Sequence, residues 1–145
     1  MRPTAATTTA RSVGLAGLAT LWVLSACTLG NYPLPDPGTE HAREKTAHIT
    51  RVLESNDAIT GANAKCKVRY LGEKQGALFA WAECTGSYEG SSVPTSISNA
   101  FRIDGTSTQW PQAGAYIEDV RRLFPSRLAH DILKNPERLR PEHGR

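Results

Sequence analysis

Between Thr39 and Asn56, Ala42, Thr46, Ile49 and Leu53 recur at steps of three and four with Val52 alongside. That period predicts one amphipathic helix, starting at Thr39 or Glu40 and dying out between Ser55 and Gly61. The period then changes to two. Residues 64–71 and 77–84 read as strands joined by the turn Gly72-Glu73-Lys74-Gln75-Gly76. A third alternating run extends from Val93 to Ile103, and the Asp104-Gly105 hairpin signal predicts a short fourth strand, 106–110, ended by Pro111. Tyr116 or Ile117, Val120, Leu123 and Phe124 mark a helix that stops at Pro125. Ser126 is placed to cap a last helix, with Leu128, Ile132 and Leu133 inward.

The first two strands carry a register hypothesis. If Cys66 and Cys84 face each other in a disulfide, Lys67 opposes Glu83, Arg69 opposes Trp81 and Leu71 opposes Phe79. Those are an opposite-charge, a cation–π and an apolar pair on one face. Cys66, Val68 and Tyr70 then meet Ala80, Ala82 and Cys84 on the other face, which suits a core. The predicted fold class is α+β: an N-terminal helix, a three- or four-stranded antiparallel meander with a disulfide-stapled hairpin, and C-terminal helices on one face. In element order this resembles cystatin-like and NTF2-like layouts, which implies fold and not activity.

The N-terminus reads differently. Arg2 and Arg11 precede the uncharged run Ser12–Leu24, followed by Ser25, Ala26 and Cys27. Positive n-region, short apolar h-region and small-residue cleavage site are the parts of a secretory signal. Leu24-Ser25-Ala26-Cys27 resembles the lipobox of bacterial lipoproteins. The resemblance implies removal of residues 1–26 and diacylglyceryl modification of Cys27, often joined by an N-linked acyl chain. It also implies attachment to the outer face of the bacterial cell membrane, or to an outer membrane where there is one. Two or more acyl chains suffice for firm anchoring. Residues 12–26 are too few and too diluted by Gly14, Gly17, Thr20 and Ser25 to span roughly 30 Å of hydrocarbon.

This reading also orders the rest of the composition. Three cysteines in an exported chain leave one over. Lipidation of Cys27 frees Cys66 and Cys84 to pair. Removing the signal takes two arginines from the 17 basic residues set against 14 acidic ones, so the net charge drops from +3 to about +1. Export and a near-neutral domain argue against a nucleic-acid partner. Residues 27–38, with Pro33, Pro35 and Pro37, read as a tether. One small domain is expected over residues 39–134, with a frayed polar tail over residues 135–145.

Candidate chemistry is sparse. His41 and His48 lie two turns apart on the first helix with Glu44 between them; about 10.5 Å along the axis keeps both histidines from one metal, so no metal is predicted and the candidate left is His41 and Glu44 with a ligand from elsewhere. The serines sit in no G-x-S-x-G elbow, the cysteines form no C-x-x-C pair, and no phosphate, calcium or dinucleotide loop is present, so no cofactor is predicted. Arg69, Phe79 and Trp81 on one hairpin face, with Trp110 by the Pro111 loop, form the candidate binding patch if the helices leave it open. The expectation is a non-enzymatic binding module with an envelope-protein or cell-wall partner. The alternative is a small surface-tethered hydrolase whose pocket draws His41, Glu44 or His48 inward.

Overall fold

The computed structural model describes residues 30–141. Its elements run α1 (Glu40–Glu54), α2 (Asp57–Thr60), β1 (Ala62–Lys74), β2 (Ala77–Ser87), β3 (Thr95–Asp104), β4 (Ser107–Gln109), α3 (Tyr116–Leu123) and α4 (Ser126–Lys134). Short 3-10 turns cover Ala113–Ala115 and Pro136–Leu139. The sheet is an antiparallel meander in the order β1-β2-β3-β4. The α+β class and the helices C-terminal to the sheet are as predicted. The predicted signal peptide and the lipobox cysteine, Cys27, lie outside the described residues.

α1 begins where Thr39 Oγ1 accepts from the Ala42 N–H at 3.2 Å, satisfying one of the free donors of the first turn. Its stripe buries Ala42, Ile49 and Leu53 against Tyr70, Ala80, Ala82, Phe101 and Ile103. Ala80 and Ala82 are fully buried, and such small side chains let the helix lie close to the strands. On the opposite face Phe79, Trp81 and Ala100 meet Val120, Leu123, Phe124, Leu128 and Ile132. The sheet is therefore covered on both sides, where the sequence had placed helices over one face. Each half of the core follows from the period-two alternation of β2, which sends successive side chains to opposite layers.

The Cys66–Cys84 disulfide is present, and the register runs as expected through Lys67 opposite Glu83, Arg69 opposite Trp81 and Tyr70 opposite Ala80. It then slips at a bulge, so that Phe79 opposes Gly72 rather than Leu71. Gly72 has φ +133, a conformation that side-chain-bearing residues rarely adopt. A Cβ there would meet the Tyr32 hydroxyl at 2.6 Å. Both strands also outrun the prediction, to Ala62 and Ser87. Val93 lies outside β3 and is exposed. Pro125, not Ser126, takes the N-cap position of α4, without a side-chain hydrogen bond.

The chain ends depart furthest from expectation. Within the predicted tether, Tyr32 and Leu34 pack on the α3–α4 side of the core. Within the predicted frayed tail, Leu139 is fully buried in the same cluster. Asp131, buried on α4, ties the two together. Its Oδ2 accepts from the Tyr32 N–H at 2.9 Å and from the Arg138 guanidinium, which also donates to the Tyr32 carbonyl at 3.2 Å. The domain thus reaches from residue 30 to residue 141, wider than the predicted 39–134.

Candidate functional site: a cleft at the free edge of the sheet

The predicted aromatic patch is not exposed. Phe79 and Trp81 are 2 % and 3 % accessible, because α3, α4 and the C-terminal turn cover their face. The Trp81 indole N–H donates to Ser98 Oγ at 3.0 Å, and Phe79 packs against Phe124 at 5.8 Å between ring centres. Arg69 is half-buried, and its guanidinium donates to the carbonyls of Arg138 and Arg140. Burial, then the charge of Arg138, lowers its pKa from the usual guanidinium value. Trp110 lies in the other layer, half-buried beside Phe101 at 5.9 Å. The four residues therefore belong to two cores and a C-terminal clasp. They do not form one surface.

The α1 candidates stay apart as well. His41 and Glu44 are exposed and His48 is half-buried. His41 Nε2 lies 3.6 Å from Glu73 Oε1, and its ring meets Tyr70 edge-on at 6.1 Å. Among the described residues no group of three or more His, Cys, Asp or Glu is placed to hold a metal ion. No described helix is long and apolar enough to cross a membrane.

A cleft absent from the sequence reading opens where α1 meets the free edge of β1. It has a volume of about 270 Å³ and is lined by Ala42, Arg43 and Ala47 of α1, by Val68, Arg69 and Tyr70 of β1, and by Pro37 and Pro141. None of His41, Glu44 and His48 lines it. That volume falls just below the roughly 300–1,000 Å³ of sites that engulf a small molecule, so a substrate cavity is a poor match.

Backbone direction makes the cleft chemically distinctive. The Cys66 N–H points away from β2, because it donates to Glu54 Oε1 at 3.0 Å. In an antiparallel ladder such outward residues alternate, so the backbone groups of Val68 and Tyr70 turn outward too. The lining beside them is mostly apolar and includes the cationic Arg43 and Arg69. Tyr70 is buried at this wall. Burial first, then the nearby Glu73 and Tyr32, pushes its phenol up to about 12, so it is a neutral hydroxyl at physiological pH. The sheet edge is thus a row of hydrogen-bonding backbone groups beside a mostly apolar lining and cationic side chains.

No family model, curated protein or solved structure matches the chain. The cleft must therefore be interpreted from its own geometry. It was missed in the sequence because its walls come from three separated segments. Only the edge position of β1 gives the alternation its meaning, and edge position is a property of topology.

Proposed function

We propose that the protein is an exported, lipid-anchored envelope component whose domain binds another envelope molecule without catalysing a reaction. The Cys66–Cys84 disulfide carries this reading. Such bonds persist in oxidising compartments outside the cytosol. With that pair formed, Cys27 is the chain's one other cysteine, and it stands directly after Leu24-Ser25-Ala26. Lipid at Cys27 accounts for the odd thiol and for a membrane location together.

The binding part of the proposal rests on the β1 edge. An extended partner segment can add to the sheet along Val68–Tyr70, with main-chain hydrogen bonds for affinity and the apolar lining for side-chain selection. Arg43 in the lining favours an acidic group in that segment. A photo-crosslinking residue in place of Ala47, in intact cells, is expected to capture one envelope molecule, and Arg43→Glu is expected to abolish the capture. The same probe at exposed Thr85 serves as the control. Equal products at both positions, or none at Ala47, would refute the cleft. Loss of lipid labelling in Cys27→Ser tests the anchor separately, and labelling that persists would refute it.

A further inference from the structure

The exposed side of α4 carries basic residues where the chain enters the domain. Arg127, His130 and Lys134 are exposed and follow one another at i, i+3 and i+7, so they share one helix face. His130 and Lys134, with Arg121 of α3, border a shallow depression of about 450 Å³ whose apolar part is Ala129 and Leu133. None of the residues bordering it is acidic. Of the nearby acids, Asp119 is paired with Arg122 at 2.7 Å and Glu137 with Arg140 at 3.1 Å, while exposed Glu118 lies on α3, a turn before Arg121.

This face also receives the N-terminal segment. The Arg127 guanidinium donates to the Gly30 carbonyl at 3.2 Å and to the Asn31 carbonyl at 2.9 Å. Asp131 and Arg138 hold Tyr32 in the same way one turn further on. Only Thr28 and Leu29 separate Gly30 from Cys27. Three fully extended peptide steps reach at most about 11 Å. A lipid on Cys27 therefore has no long tether. The prolines that suggested one flank Tyr32 and Leu34, which lie on the domain itself.

We propose that in the lipid-anchored protein the α3–α4 face rests on the bilayer, with Arg121, Arg127 and Lys134 against anionic phospholipid headgroups and Leu133 toward the interface. This pose depends on the proposed lipid at Cys27. Charge and reach agree. Attraction of basic side chains to an anionic surface acts within a Debye length, about 8 Å at physiological salt, and the short link holds the face within about that range. α1 covers the opposite side of the sheet, so this pose turns α1 and its wall of the β1 cleft away from the membrane.

The test uses the full chain, processed in cells and reconstituted in phosphatidylcholine–phosphatidylglycerol vesicles. A fluorophore is attached through His130→Cys or, on α1, through Arg51→Cys, and headgroup nitroxide lipids supply the quencher. The mass of the N-terminal peptide reports lipid at Cys27 independently. Quenching at position 130 is expected to be several-fold stronger than at position 51. Adding Arg121→Glu and Lys134→Glu is expected to bring it down to the position-51 level with the lipid mass unchanged. Equal quenching at both positions in lipidated protein would overturn the docked face and leave the anchor standing. Undiminished quenching in phosphatidylcholine alone would overturn the anionic-headgroup assignment. A missing lipid mass would overturn the anchor and, with it, this pose.

Discussion

Leu139→Ala is the sharpest test of the domain's extent. Leu139 is fully buried in the α3–α4 core although it sits in a polar segment six residues from the end of the chain. Burying a leucine side chain contributes about 1.5–3 kcal/mol in transfer free energy, and the cavity left on truncation brings typical Leu→Ala costs to about 2–5 kcal/mol. A short 3-10 turn near a chain end relaxes more readily than a central strand, which places this site in the lower half of that range, at about 3 kcal/mol. For a domain of about a hundred residues each kcal/mol corresponds to roughly 4 °C in melting temperature, so a drop of about 12 °C is expected. Thermal melts followed by circular dichroism, with urea titration to confirm an unchanged slope, measure it. Glu137→Ala, two positions away on a side chain 63 % exposed, should stay within about 0.5 kcal/mol of the parent. A Leu139→Ala protein as stable as Glu137→Ala would refute the packed C-terminus.

Two further outcomes follow from the hairpin. Replacing Cys66 and Cys84 together by alanine opens a cross-link of sequence separation 18. It should cost about 3 kcal/mol on the chain-entropy argument; a reduced parent protein that melts unchanged would contradict this. The raised pKa of Tyr70 predicts stability that is complete below the ordinary tyrosine value of 10.0 and falls as pH rises toward about 12, because the unfolded chain ionises first. Phenolate absorbance titration of the parent against Tyr70→Phe checks it, and a Tyr70 contribution centred at the ordinary value would overturn the burial argument.

What could be read from the sequence was local and periodic. One cysteine pair located the hairpin register through Tyr70 because antiparallel pairing leaves no freedom once a single pair is set. The register slips between Tyr70 and Gly72, where Leu71 is the extra residue beside a positive-φ glycine, and no alternation of side chains announces such an insertion. Trp81 illustrates a different limit. Its placement on the Arg69 face was legible, yet whether that face stayed open depended on where α3 and α4 docked. The chain ends misled for a third reason. Composition averaged over Asn135–Pro141 hides the one residue, Leu139, that carries the burial. In the N-terminal segment the prolines obscured the alternate apolar positions Tyr32 and Leu34. The candidate cleft was not legible at all, since it exists only between segments that the fold brings together.

The clasp between Tyr32 and Asp131 also sets an order of events in time. Its partners are 99 residues apart, and those joined by Arg138 are 106 apart. Closing a loop of that length costs about 4 kcal/mol of chain entropy by its logarithmic growth alone. Synthesis runs from the N-terminus, so residues 30–34 are the earliest described residues to emerge, while their acceptor and donor emerge 99 and 106 residues after Tyr32. Until Asp131 and Arg138 have been made, the hairpin can form and oxidise while the first segment has nothing to dock on. Fastening the start of the domain is therefore a late step that follows synthesis of Arg138, and a product stopped short of Asp131 would leave the Tyr32 segment unfastened.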